Sequence, residues 1–237
     1  MTKRRVLVSG ASKGIGRAVV DRLAGNGYEV IGLARSAPSD FPGQFHEVDL
    51  ADRTATAQTL DAIVADGGVD AVVNNVGFSR WGRIGSIDLD DLFSTYDMNV
   101  RTAVQVVQAV LPGMIASEWG RIVNVTSLTT LGVAERTPYA ASKAALERCT
   151  RIWAGELAGT GITVNAVSPG PIETEMFRRR SPAGSEVEGR LLAAIPMQRV
   201  GTPTEIAHVI AMLLHEDAGY MTGQIVRVDG GGSIGAA

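Results

Sequence analysis

The stretch RVLVSGASKGIGRAVVDRLAGNGYEVIGLAR, residues 5–35, decides how the rest of the chain is read. Residues 5–10 are a short apolar run, the signature of a buried strand. Residues 15–27 then put Ile15, Val19 and Leu23 on one face of a helix that closes on glycines. Residues 28–35 form a second apolar run. Strand, glycine-rich turn, helix and strand make one βαβ unit.

The same alternation continues outward from that unit. Apolar runs at 45–50, 69–75, 120–127, 161–168 and 224–231 predict five more strands. Helical patterns fall at 52–65, 88–112, 137–158 and 203–215. Strands that alternate with helices predict an α/β, doubly wound Rossmann fold. Its seven-stranded sheet is expected to be mostly parallel, with helices on both faces. No linker or shift in composition interrupts the pattern, so residues 1–237 read as one domain. Such sheets take ligands beyond the carboxyl ends of their strands. The expected crevice is lined by Ser9-Gly10, Ala34-Arg35, Asp49-Leu50, Asn74-Asn75, Ser127 and Ser168.

Bulk properties narrow the class. The chain has 237 residues, 45% hydrophobic and 20% charged, as in an ordinary globular protein. A net charge of -3 gives no reason to expect nucleic acid or an anionic membrane as partner. A single cysteine, Cys149, excludes an intrachain disulfide framework and suits a reducing compartment. Near the N-terminus only Val6, Leu7 and Val8 run together, too short for a secretory signal or a membrane span. A cytoplasmic protein is the expectation.

Between the first strand and helix stands SGASKGIG, residues 9–16, with Gly10, Gly14 and Gly16 spaced G-x-x-x-G-x-G. Glycine allows a sharp turn and a close approach of backbone to ligand. The helix that follows offers free N–H groups to a pyrophosphate. A dinucleotide is therefore expected on Gly10, Ser12, Lys13, Gly14, Ile15 and Gly16. An NAD site places an acid at the end of the second strand, but this chain has Arg35 there. Arg35 and Lys13 instead suit the adenosine 2′-phosphate of NADP(H). Gly10-Ala11-Ser12-Lys13-Gly14 also fits the G-x-S-x-G elbow of hydrolases. His46, His208 and His215 are the only histidines, and none stands at a strand end where such an enzyme needs it. They have no metal-ligand spacing either.

The second chemical pattern is TPYAASKAAL, residues 137–146. Thr137-Pro138 signals a helix start, so Tyr139 and Lys143 share a face. A cation beside a tyrosine lowers its pKa from about 10 and fits it for proton transfer. Tyr–Lys pairs on helix surfaces are common, and the pair alone does not establish a site.

These pieces together resemble the short-chain dehydrogenase/reductase family. The likeness covers nearly the whole chain: SGASKGIG, Asp49-Leu50, NNVG at 74–77, Asn99, Ser127, YAASK at 139–143 and PGPIET at 169–174. It implies that Tyr139 is the proton donor for a ketone and the base in reverse. It implies that Lys143 lowers the Tyr139 pKa and holds the nicotinamide ribose, and that Ser127 hydrogen-bonds the substrate oxygen. Asn99 would hold a water that links Lys143 to a proton relay. Asn75 and Gly77 would lie by the ribose and Asp49 and Leu50 by the adenine. Pro169, Gly170, Ile172 and Thr174 would border the nicotinamide.

The likeness is greatest to 3-oxoacyl-[acyl-carrier-protein] reductases, through GRIVNV, PGPIETEM and TGQIVRVDGG. It implies that Arg121 and Arg178 dock an acidic carrier, with Arg179 and Arg180 extending the second site. It also implies a homotetramer. A ketone reductase for a free small molecule, and a non-catalytic NADP(H) sensor, are the other readings. Two features depart from the family: NNVG replaces NNAG, and the loop from Ser127 to Tyr139 is one residue short.

Overall fold

The strands are built from residues that alternate between two cores. In the computed structural model, which describes residues 3–234, β1 (Arg5–Ser9) sends Val6 and Val8 to one face and Leu7 to the other. β2 (Glu29–Ala34), β3 (Gln44–Glu47), β4 (Ala71–Asn74), β5 (Gly120–Val125), β6 (Ile162–Pro169) and β7 (Ile225–Val228) complete one sheet. Its order is β3-β2-β1-β4-β5-β6-β7, and every neighbouring pair is parallel. The expected sheet is therefore observed, and it is fully parallel.

One face is covered by α1 (Gly14–Gly25) and α8 (Pro203–Leu214), which bury Val19, Val20, Leu23, Ile206 and Ile210 against Val6, Val73 and Val123. The other face takes α2 (Arg53–Ala65), α4 (Thr102–Ala116) and α5 (Thr137–Leu157), whose Leu60, Val106 and Leu157 join Leu7, Ile31 and Ile122. Burying one such aliphatic side chain contributes about 1.5–3 kcal/mol. Central strands apolar on both faces fix the register, because a one-residue slip exchanges the two cores.

The helix expected over 88–112 is three pieces. α3 (Leu89–Tyr96) passes into a π-turn (Asp97–Arg101) and then into α4. The irregular region after β6 holds two short helices, α6 (Glu175–Arg178) and α7 (Glu186–Ala193). The strand order reverses between β1 and β4, so the crevice opens at their carboxyl ends. Among the described residues no helix is long and apolar enough to cross a membrane.

Candidate active site

The glycine turn is shaped by two left-handed residues and one close approach that favour glycine. Gly10 and Gly14 have φ of +67° and +58°. A Cβ on Gly16 would lie 2.1 Å from the Gly10 carbonyl oxygen. Asn75 locks the turn to β4 by donating from Nδ2 to the Ser9 and Gly10 carbonyls, at 3.1 and 3.2 Å. α1 then starts at Lys13 with no side-chain cap, so its first N–H groups face the crevice unfilled. This cradle fits a dinucleotide phosphate.

A cleft of about 1120 Å³ opens above the strand ends. Gly10, Ser12, Lys13, Gly14, Ile15, Arg35, Asp49, Leu50, Asn75, Gly77, Pro169, Gly170, Ile172 and Thr174 all line it. Gly16 does not line it and acts from beneath, through the packing of the turn. Ser9, Asn74 and Ser168 also lie below the wall. Lys13 is already paired with Glu175 at 2.7 Å. Arg35 is exposed and has no carboxylate partner among the described residues. The cation free for a 2′-phosphate is Arg35.

Ser127, Tyr139 and Lys143 share the opposite part of the same cleft. Ser127 Oγ accepts from Thr129 N at 3.2 Å and from Thr129 Oγ1 at 3.0 Å. Its own proton is left to donate. Lys143 runs inward, only 1% exposed, and donates to Val125 O at 2.8 Å and Val76 O at 3.2 Å. Burial pushes its pKa down to about 8. Two of its three N–H bonds are used and one remains.

Without a cofactor, the groups that act on Tyr139 do not include Lys143. Burial raises the Tyr139 pKa above its ordinary value, and the groups that pull against this are the Ser127 hydroxyl and the charges of Arg136 and Arg180. Lys143 shares the helix face, but its ammonium ends at two backbone carbonyls. Tyr139 therefore holds its proton at neutral pH.

Asn99 sits in the π-turn, 2% exposed and outside the cleft wall. Its amide accepts from Phe78 N at 2.7 Å and donates to Phe78 O at 2.9 Å and Ser142 Oγ at 2.8 Å. Both N–H bonds are spent on holding the 78 loop to α5.

Neither arginine proposed for carrier docking is placed for it. Arg121 lies at the amino end of β5, away from the cleft, and is 4% exposed. It donates to Gly120 O and Gly161 O and stacks 4.5 Å from the Trp119 ring centre. Its place next to a strand start buries it. Arg178 is held by Glu173, with Nε donating at 2.6 Å, and by Glu188 of α7. Its charge is neutralised within the segment that covers the cleft.

The structure adds residues the sequence did not single out: Phe78, Trp81, Arg136, Phe177, Ser181, Val187 and Leu191 line the cleft, together with Arg180 of the RRR run. The short loop before Tyr139 shapes this wall, because Gly82 and Arg136 form a β-bridge across it.

Known proteins resemble the chain over this whole architecture. The profile of the family described as "Enoyl-(Acyl carrier protein) reductase" matches residues 10–233. The 3-oxoacyl-[acyl-carrier-protein] reductase of Pseudomonas aeruginosa is 38% identical over 238 residues, 95% of each chain. The Escherichia coli reductase of the same name is 36% identical over 235 residues, again 95% of each. Among solved structures, ElxO with NADP bound is 30% identical with a TM-score of 0.91, over 98% of this chain and 100% of that one. A blue fluorescent protein from a metagenomic library, in complex with NADPH, is 36% identical with a TM-score of 0.88, over 97% and 98%. The chain belongs to the short-chain dehydrogenase/reductase family.

Proposed function

We propose that this protein is an NADP(H)-dependent oxidoreductase that reduces a ketone to a secondary alcohol. The observation that carries the reading is the pair Ser127 and Tyr139. Ser127 accepts two hydrogen bonds and has one to give, beside a tyrosine that keeps its proton. Two such donors suit one carbonyl oxygen on which negative charge develops.

The cofactor, when bound, supplies the hydride. The glycine turn and the α1 N-terminus would hold its phosphates. Arg35, with no acid beside it, supports NADP(H) over NAD(H), as do the two similar structures that contain NADP or NADPH. The remaining N–H of Lys143 would hold a ribose hydroxyl, with Gly77 beside it on the cleft wall. Tyr139 gives its proton to the carbonyl oxygen while Ser127 holds that oxygen in place.

For the substrate, the oxoacyl reductases among the relatives support a 3-oxoacyl thioester. The commitment of Arg121 and Arg178 to internal contacts supports the second reading, a free small ketone. NADPH oxidation with acetoacetyl-CoA, compared between wild type and Tyr139→Phe, tests both. Turnover that falls at least ~100-fold in the variant is the expected result for a thioester. No turnover in protein that binds NADPH assigns the site to a free ketone. Tight NADPH binding with no ketone of any kind reduced would leave only the sensor reading.

Exposed Leu89 and Phe93 on α3 and Ile152 on α5, at 64%, 69% and 49%, support the homotetramer. Sedimentation equilibrium tests it, and a monomer at micromolar concentration would end it. A cytoplasmic location fits the single unpaired Cys149.

A further inference from the structure

Around the mouth of the cleft, most arginines are neutralised. Arg80 meets Asp91 at 3.0 Å, Arg178 meets Glu173 and Glu188, and Arg179 meets Glu175. Two are not. Among the described residues neither Arg136 nor Arg180 has a carboxylate partner or a side-chain hydrogen bond. Both line the cleft. What they share is Trp81: the guanidinium carbons lie 3.0 and 3.6 Å from its ring centre. Two guanidinium groups so close to one ring centre cannot share a face, so they flank the indole.

The arrangement is built, not incidental. Arg136 caps α5 three residues before Tyr139, so the two share a helix face. Its backbone bridges to Gly82, whose N–H donates to Glu135 O at 3.1 Å. Glu135 takes φ of +61°, a left-handed conformation unusual for a non-glycine residue and maintained by that pairing. Arg180 follows α6 on the covering segment. Beside it Ser181 lines the cleft, 3% exposed, with its hydroxyl unpartnered.

Burial pushes the Arg136 pKa down to about 10, with Arg180 adding to the effect, and burial lowers Arg180 as well. Stacking on indole compensates a cation only in part. A half-buried cation, a second cation at the rim and a spare buried hydroxyl are the donors an oxoanion requires, and guanidinium binds carboxylate and phosphate oxygens in pairs. Both charges act on Tyr139, so an anion seated on them stands near the carbonyl it serves.

We propose that Arg136, Arg180 and Ser181, arranged around Trp81, form a subsite for an oxoanion carried by the substrate itself. The preferred ketone is then a short acid, with a carboxylate or phosphate a few bonds from the carbonyl. This rests on the ketone-reductase reading of the same cleft and sharpens its free-ketone form.

The test is equilibrium binding by calorimetry to the NADP⁺-loaded protein. The probes are 2-oxo and 4-oxo carboxylates of four to eight carbons, their methyl esters and phosphonates of matched length. At least one acid or phosphonate should bind about tenfold or more tightly than its neutral ester. Arg136→Gln and Arg180→Gln should each weaken that acid about tenfold and leave the ester unchanged, and Arg136→Lys should recover part of the loss. Carboxylate binding and phosphonate binding tell the two anions apart. Equal affinity for acids and esters, no binding by any anion at ~10 mM, or Gln variants like wild type would each overturn the subsite. If Arg136→Gln does not fold, Arg180→Gln on the exposed side decides alone. NADPH oxidation with the same panel separates the two ideas. Acids bound selectively and never reduced sink the reductase reading but keep the subsite. Neutral ketones reduced with no preference for acids do the reverse.

Discussion

Lys143 is the largest fully buried side chain among the described residues, and its ammonium donates to two carbonyls. That has a consequence for stability. Its pKa falls from an ordinary 10.5 to about 8, so between these values the unfolded chain binds a proton that the folded protein does not. Stability from this group therefore rises with pH over that window. Tyr139 has the opposite sign: its raised pKa costs stability only above about 10, where the unfolded phenol ionises. In cofactor-free protein, urea midpoints measured from pH 7.5 to 9.5 should climb more steeply for wild type than for Lys143→Met. The difference should approach ~2 kcal/mol, and parallel slopes would show that Lys143 titrates normally. Tyr139 and Lys143 were legible in the sequence because four-residue spacing places two side chains on one helix face. The spacing does not say where a flexible side chain ends, and the Lys143 ammonium ends at the Val76 and Val125 carbonyls. Arg136, Trp81 and Arg180 were illegible for a related reason. Their cluster depends on a bridge between loops 54 residues apart, Gly82 to Arg136, and no periodicity marks it.

At the scale of elements, the segment formed by α6 and α7 is the part whose sequence said least. Strands and long helices announce themselves because burial on one or two faces imposes a period. Short helices over a cleft expose most of their residues and carry no such period. The π-turn in the middle of the expected 88–112 helix was hidden too, since one wider turn barely disturbs an apolar stripe. In the structure Arg178 clamps this segment: it joins Glu173, ahead of α6, to Glu188 within α7. A docking cation and a clamp make different predictions. Arg178→Glu should loosen the cover over Phe177, Val187 and Leu191 and raise KM several-fold for a carrier-linked and a small substrate alike. It should also speed proteolysis between 178 and 188. A rise confined to the carrier-linked substrate would restore the docking role.

At the scale of the molecule, the cofactor links both halves of the sheet. The glycine turn joins β1 to α1, while Ser127 follows β5 and Tyr139 lies on α5. A ligand that binds only the folded protein stabilises it by about 2.7 kcal/mol at a hundred times its Kd. For a chain of this length that is a rise in Tm of about 5–10 °C. NADPH should produce it at concentrations where NADH gives less than half, because only NADPH brings a 2′-phosphate to Arg35. The glycine turn and Lys143 serve both cofactors equally, so the difference isolates the end of β2. Arg35→Asp should reverse the order, replacing a cation that draws the phosphate with an acid that repels it and can accept from a ribose hydroxyl. Arg35 is exposed, so the preference should also weaken as salt rises from 0.05 to about 0.5 M, where charges more than ~4–5 Å apart are largely screened. If NADPH and NADH shift Tm equally at low salt, Arg35 does not choose the cofactor. Selection would then pass to Lys13, whose pairing with Glu175 the phosphate must break.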